Sequence, residues 1–196
     1  RRAAAALTLR WEVTSPAYYR KRLETPIWPG GASGVTWGIG YDGGHQTRPV
    51  ILDDWQEHEA ADRLATTAGI TGQDARAILA RYRDIPTSFD LASRVFEERS
   101  LVEYERRTDR AFRDGFSALR PNACGALISL VYNRGAAMTG DSRREMRTIR
   151  DKCVPKQDYA CIASEIRSMK RLWRGTVNEN GLSARREAEA ILVETP

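Results

Sequence analysis

Residues 35–42, VTWGIGYD, carry the clearest chemical pattern in the chain. On an extended strand Val35, Trp37, Ile39 and Tyr41 share one face, while Thr36, Gly38, Gly40 and Asp42 share the other. The first face can bury bulk. The second is bare backbone flanked by a hydroxyl and a carboxylate. Glycine inside a strand costs stability and marks a close approach by a ligand or another chain. The pattern points to a ligand held along exposed main chain, with a glycine-rich bend as the structural alternative. It is not a dinucleotide loop, because no third glycine follows at the required spacing and no helix starts there.

Other chemistries find little support. Cys124, Cys153 and Cys161 form no complete disulfide framework and no C-x-x-C pair, and no His pair lies near them, so no metal is expected. They read as small buried apolar residues, with Cys153 and Cys161 able to oxidise if the fold joins them. His45 and His58 show no partner pattern. No Ser/His/Asp or Cys/His arrangement is evident, and no cofactor is expected.

The chain has 196 residues, with 31 Lys and Arg against 26 Asp and Glu, a formal charge of +5. Arg143, Arg144, Arg147 and Arg150 recur at helical spacing, as do Arg167, Lys170, Arg171 and Arg174. These stripes are either solvated helix faces or a surface drawn to a polyanion, nucleic acid or an anionic cell envelope. Nucleic acid is disfavoured, because the cations lack interleaved aromatics and no helix-turn-helix or zinc pattern is present. The longest apolar stretch, Ala126 to Tyr132, is interrupted by Ser129 and falls far short of the roughly 18 residues of a membrane span. No membrane span is expected. The chain begins at Arg1 without an initiator Met or a cleavable signal, which suggests a domain cut from a longer protein.

The elements around the glycine strand read as helices. Seven of the 15 glycines lie between Gly30 and Gly44, so a small β-hairpin lobe over about 24–48 is expected beside a helical lobe over about 50–196. The fold class is mainly α, in one domain. Thr14-Ser15-Pro16 reads as a helix start for AYYRKRL, which must stop before Pro26. Asp53 to Ala65 reads as helix with Leu52, Trp55 and Leu64 inward. Thr71 to Asp74 has the form of a capping box, and Ser88 precedes a helix from Phe89. Leu101, Tyr104, Thr108, Ala111 and Phe112 keep three-and-four spacing. Pro121 opens a helix that is apolar on nearly every side, which places it at the centre of the fold. Tyr159, Ile162, Ile166, Met169 and Trp173 form another stripe, and Ser183 reads as the cap of a last helix.

Four segments, in order, resemble the phage-type lysozymes of glycoside hydrolase family 24. VTWGIGYD is similar to their TIGxGH-type strand, and LRWEVTSPAYY to the segment that supplies their catalytic Glu. GALISLVYNRG resembles their buried central helix, and GLSARREAEAIL their closing helix. The matches span residues 9 to 192. The longer form WPGGASGVTWGIGYD resembles bacterial and prophage lysozyme-like domains, including toxin domains delivered to competing cells.

The resemblance implies a lysozyme-like α+β fold and a muramidase that cleaves the β-1,4 bond between N-acetylmuramic acid and N-acetylglucosamine in peptidoglycan. It implies action in the periplasm or wall of a target bacterium, as a monomer. For a delivered toxin it implies an inhibitor protein that protects the producer. Glu12, flanked by Trp11 and Val13 just before the first helix, takes the place of the proton donor, which must stay protonated in a partly apolar pocket. Thr36 takes the place of the threonine that positions water or sugar. The family's spacing is not kept: 23 residues separate Glu12 from Thr36, and the only acid between them is Glu24. Asp42 or Glu24 is then the second acid, Asp42 being favoured by its place on the glycine face. Six extended residues span roughly 20 Å, so Thr36 and Asp42 can flank one bond only if the chain turns at Gly38 or Gly40. Ser33, Gly38, Gly40 and Tyr41 are candidate sugar contacts, with Tyr41 where the family has His. Asn133 either binds an acetamido group or caps its helix, and Trp28 either stacks on sugar or joins the core. Arg134 and Arg186 read as structural ion partners. A lytic transglycosylase working through Glu12 alone, or a silent peptidoglycan-binding module, are the alternatives.

Overall fold

The computed structural model describes residues 2–13 and 16–196, with the backbone alone for Arg2, Glu12 and Pro16. The chain is mainly helical, with one two-stranded antiparallel sheet among the described residues. In order it runs α1 (Arg2–Glu12), α2 (Pro16–Arg22), β1 (Thr36–Trp37), β2 (Tyr41–Asp42), α3 (Arg48–Asp54), α4 (Ala61–Ala65) and α5 (Gly72–Ile78). There follow α6 (Phe89–Val95), α7 (Leu101–Phe112), α8 (Pro121–Arg134), α9 (Arg144–Thr148), α10 (Tyr159–Ser168) and α11 (Glu179–Glu194). Two compact units result: Arg1–Trp11 with Leu101–Pro196, and Glu12–Ser100. The hairpin expected over 24–48 is part of this second, wider unit.

The first unit is built on α8. Pro121 sits in its opening turn, where a missing N–H costs nothing. Ala123 and every residue from Gly125 to Val131 are buried, as the all-round apolar pattern requires. α7 and α11 pack on α8, and α10 packs on α11. Cys153 and Cys161 form a disulfide that ties the segment after α9 to the first turn of α10, while Cys124 is free and half-buried. α11 starts at Glu179 rather than at Ser183, because the Gly175 N–H donates to Glu179 Oε2 at 2.7 Å and fixes the helix entry one turn earlier.

The basic stripes of this unit are largely engaged by their own chain. Arg167 reaches Glu187 and Glu194, Lys170 reaches Glu187, and Arg171 reaches Asp141 and Glu145. Arg150 pairs with Asp151, Arg147 donates to the carbonyls of Met138 and Gly140, and Arg143 to that of Arg134. These guanidiniums fasten loops and helix ends.

In the second unit Trp37, Tyr41 and Trp55 meet as an aromatic trio, with ring centroids 5.1 to 5.8 Å apart and Tyr41 edge-on to Trp55. Val35, Ile51, Leu64, Tyr82 and Val95 complete the core around them. The helix expected from Asp53 to Ala65 is two helices. Pro49 in the first turn of α3 starts it at Arg48, and Trp55, at φ −112° and ψ 25°, leaves helical geometry and ends it. Thr71 takes the N-cap position of α5 without a side-chain cap bond. Ser88 does cap α6, accepting from the Leu91 N–H. Thr14 and Ser15, read as a helix start, lie outside the described residues.

Candidate functional site

The glycine run is a hairpin and not one strand. β1 and β2 pair antiparallel with Thr36 opposite Asp42 and Trp37 opposite Tyr41. Gly38 at φ +59° and Gly40 at φ +69° turn the chain between them, in the left-handed region that glycine enters without steric cost. The bulky face behaves as the alternation requires: Val35, Trp37, Ile39 and Tyr41 are all buried. Ile27 adds a third rung, exchanging N–H···O bonds of 2.8 Å with Thr36 in both directions.

A groove of about 140 Å³ runs along this hairpin. Leu23, Ile27, Pro29, Trp37 and Ile39 supply its apolar wall, and Thr36, Gly38 and Gly40 its hairpin edge. The lining is thus mostly apolar, with one threonine and glycine main chain along its edge. The glycine face is not wholly open, however. A side chain on Gly38 would meet Trp55 Cη2 at 2.8 Å, so that glycine serves the core as well as the groove. Gly40 is exposed.

Thr36 is buried, its hydroxyl donating to the Gly34 carbonyl at 3.2 Å. Asp42 turns its carboxylate onto main chain, accepting from the Gly34 N–H at 2.9 Å and the Gly44 N–H at 3.0 Å. His45 Nε2 stands 3.8 Å from it. Gly34 and Gly44 approach so closely that a Cβ on Gly34 would lie 2.4 Å from Gly44 Cα, and the Asp42 carboxylate closes that junction. The turn thus brings Thr36 and Asp42 together, but it points the carboxylate into the loop.

The remaining sequence candidates scatter. Ser33 holds the loop through its carbonyl, which accepts from Trp28 Nε1 at 3.0 Å and from the Gly72 N–H at 2.9 Å. Trp28 carries Arg76 over its ring at 5.6 Å. Tyr41 is buried and donates its hydroxyl to Asp54 Oδ2. Glu24 follows α2, its N–H donating to the Tyr19 carbonyl and its own carbonyl accepting from the Thr87 N–H at 2.7 Å. Glu12 closes α1 instead of preceding the first helix; its side chain lies outside the described residues. Asn133 belongs to the other unit, where its Oδ1 accepts from Arg186 at 3.1 Å. Arg186 is an ion partner of Glu189, at 2.9 Å, whereas Arg134 donates to the Ser142 carbonyl.

Three polar groups escaped the sequence reading. Asp54 anchors Tyr41; it lies thirteen residues away, and nothing local in the sequence signals the pairing. His58 does have partners: Nε2 lies 3.0 Å from Thr87 Oγ1, and Nδ1 accepts from the Ala60 N–H. Glu189 is fully buried beside Arg185 and Arg186 and accepts from Ser129 Oγ at 2.8 Å. The i, i+3 and i, i+4 spacing of these three charges was a usable signal. Among the described residues no group of three or more His, Cys, Asp or Glu could hold a metal, and no helix is long and apolar enough to cross a membrane. No protein-family model and no curated protein matches the chain.

Proposed function

We propose that the chain is a peptidoglycan hydrolase, a muramidase acting on the β-1,4 bond between N-acetylmuramic acid and N-acetylglucosamine. The observation that carries this reading is the hairpin groove, which sets Thr36 and glycine backbone, exposed at Gly40, beside an apolar wall. The ordered resemblance of four segments to phage-type lysozymes supports it. Glu12 is the proton donor to the glycosidic oxygen, and Thr36 guides the attacking water. The Cys153–Cys161 disulfide suits an oxidising, extracytoplasmic setting, where this substrate lies. A protective inhibitor would act by filling the groove.

One observation favours a second reading. With Asp42 accepting from two backbone N–H groups, its carboxylate is poorly placed to activate water. A lytic transglycosylase needs no such group, because the muramic C6 hydroxyl attacks its own anomeric carbon. Mass spectrometry of muropeptides released from purified peptidoglycan separates the two. Reducing-end muramic products, lost with Glu12→Gln, support the muramidase. Anhydro-muramic products, lost in the same variant, assign transglycosylase chemistry. No release by the wild type, where a control lysozyme digests, overturns both and leaves a binding module.

A further inference from the structure

Residues 12–100 carry 13 Asp and Glu against 10 Lys and Arg, and four of the nine arginines of this unit have found a carboxylate. Arg48 meets Asp62 at 3.0 Å, Arg63 meets Asp84 at 2.8 Å, Arg94 meets Glu57 at 3.0 Å and Arg99 meets Asp53 at 3.1 Å. Against that background the last turn of α2 stands out. Arg20, Lys21 and Arg22 are consecutive, all exposed, and have no partner among the described residues. The residue that follows them, Leu23, is part of the groove wall. Arg20 lies three residues before Leu23, on the same side of the helical turn. The turn is held in place from below: Tyr19 is buried, its hydroxyl donates to the Thr87 carbonyl, and the Leu23 N–H returns to the Tyr19 carbonyl at 2.7 Å. Three exposed cationic side chains therefore follow one another on an anchored turn that runs into the groove wall at Leu23.

We propose that Arg20, Lys21 and Arg22 form an anion-binding rim that takes carboxylate or phosphate groups projecting from a glycan strand seated in the groove. This inference rests on the glycan reading of the groove. The groove wall is apolar and uncharged, so it holds the sugar, while the rim selects strands that carry negative substituents. Cations in a last helical turn also complement the helix dipole. That role alone would appear in stability and leave ligand binding unchanged.

The test is co-sedimentation of the whole chain with insoluble peptidoglycan, every protein carrying Glu12→Gln so that nothing is digested. The comparison is Arg20→Gln, Lys21→Gln and Arg22→Gln together, at low and high salt, with chitin as the neutral glycan. Expected is about a tenfold weaker binding to peptidoglycan at low salt, a flatter salt dependence and unchanged binding to chitin. Peptidoglycan stripped of phosphate polymers by hydrofluoric acid identifies the source. A difference that survives stripping assigns the stem-peptide carboxylates, and one that vanishes assigns the phosphates. Equal binding and equal salt dependence of the two proteins overturn the rim. Equal loss on chitin and peptidoglycan also overturns it, since the change then reflects the groove. Binding of neither glycan by either protein counts against the glycan reading itself.

Discussion

The Tyr41 hydroxyl donates to Asp54 Oδ2 at 2.8 Å, tying the second hairpin strand to the end of α3. Burial pushes the Tyr41 phenol well above its ordinary range, and hydrogen bonding to Asp54 adds to the shift. Asp54 is itself held above the usual carboxylate range by burial, against the opposing pull of Tyr41 and Arg99. A residue placed by its strand position among the sugar contacts is thus the anchor of the hairpin. Tyr41→Phe should lower unfolding stability by about 1–3 kcal/mol, because it leaves a part-buried carboxylate short of a donor. Urea unfolding measures the loss. Lytic activity corrected for the folded fraction should be unchanged, and a selective loss of turnover would return Tyr41 to the groove.

Gly38 is constrained twice, by φ +59° and by Trp55 Cη2 at 2.8 Å from any added Cβ. Gly31 has the same backbone strain, φ +57°, with nothing within 4 Å. Gly31→Ala should therefore cost only the left-handed penalty of about 1–2 kcal/mol. Gly38→Ala should cost that and a steric term, about 1–3 kcal/mol more for overpacking. Equal midpoint shifts for the two variants in parallel thermal melts would show that the aromatic trio yields freely.

What the sequence made legible follows from how local its signals are. The position of Pro121, the apolar run after it and Ser88 before Phe89 each act within one helical turn, and α8 and α6 begin where those residues require. The bulky face of the glycine run was readable from alternation alone. Its turn was not, since a glycine at φ +60° and one in a strand look alike in sequence. Asp42 shows the same limit at the site. Its place near Thr36 followed once the chain was allowed to turn, but its partners are the N–H groups of Gly34 and Gly44, which no side-chain pattern records. The start of α3 was missed because Pro49 outweighs the helix-like residues after Asp53.

Glu189 is fully buried between two arginines, with Arg185 Nε at 3.4 Å and Arg186 Nε at 2.9 Å. Burial drives its carboxyl upward while the two guanidiniums pull it down. Burial also lowers Arg186 to about 10. The pair supports itself, and losing one side strands the other. Glu189→Gln keeps the shape and the Ser129 contact but leaves two buried cations without a counter-charge, at a cost of about 3–5 kcal/mol. Chemical denaturation of the variant tests this. A change under 1 kcal/mol would mean that water reaches the site and that α8 and α11 rely on apolar packing alone.

His58 gives the stability a pH dependence whose sign can be worked out. The ring is buried, its Nδ1 accepts the Ala60 N–H, and Nε2 meets Thr87 Oγ1. A proton on Nδ1 would face another donor. Burial holds the imidazole below its ordinary value of 6.5, against the opposing pull of Glu59 and a hydrogen bond to the Pro86 backbone. The unfolded chain therefore binds a proton at His58 near pH 6.5, and the folded chain resists until lower pH. Between those two values the unfolded state binds more protons, so stability falls on acidification, by up to about 1.4 kcal/mol per pH unit for this one group. Below the folded value the slope from His58 disappears. His58→Gln removes that contribution and leaves the carboxylates to set the acid limb. Unfolding free energies from pH 7.5 to 4.5 should converge between the two proteins as the pH drops, the wild type losing its advantage first. Profiles that stay parallel throughout would mean that the folded ring is protonated as readily as the unfolded one, and that the Ala60 bond is not kept in solution.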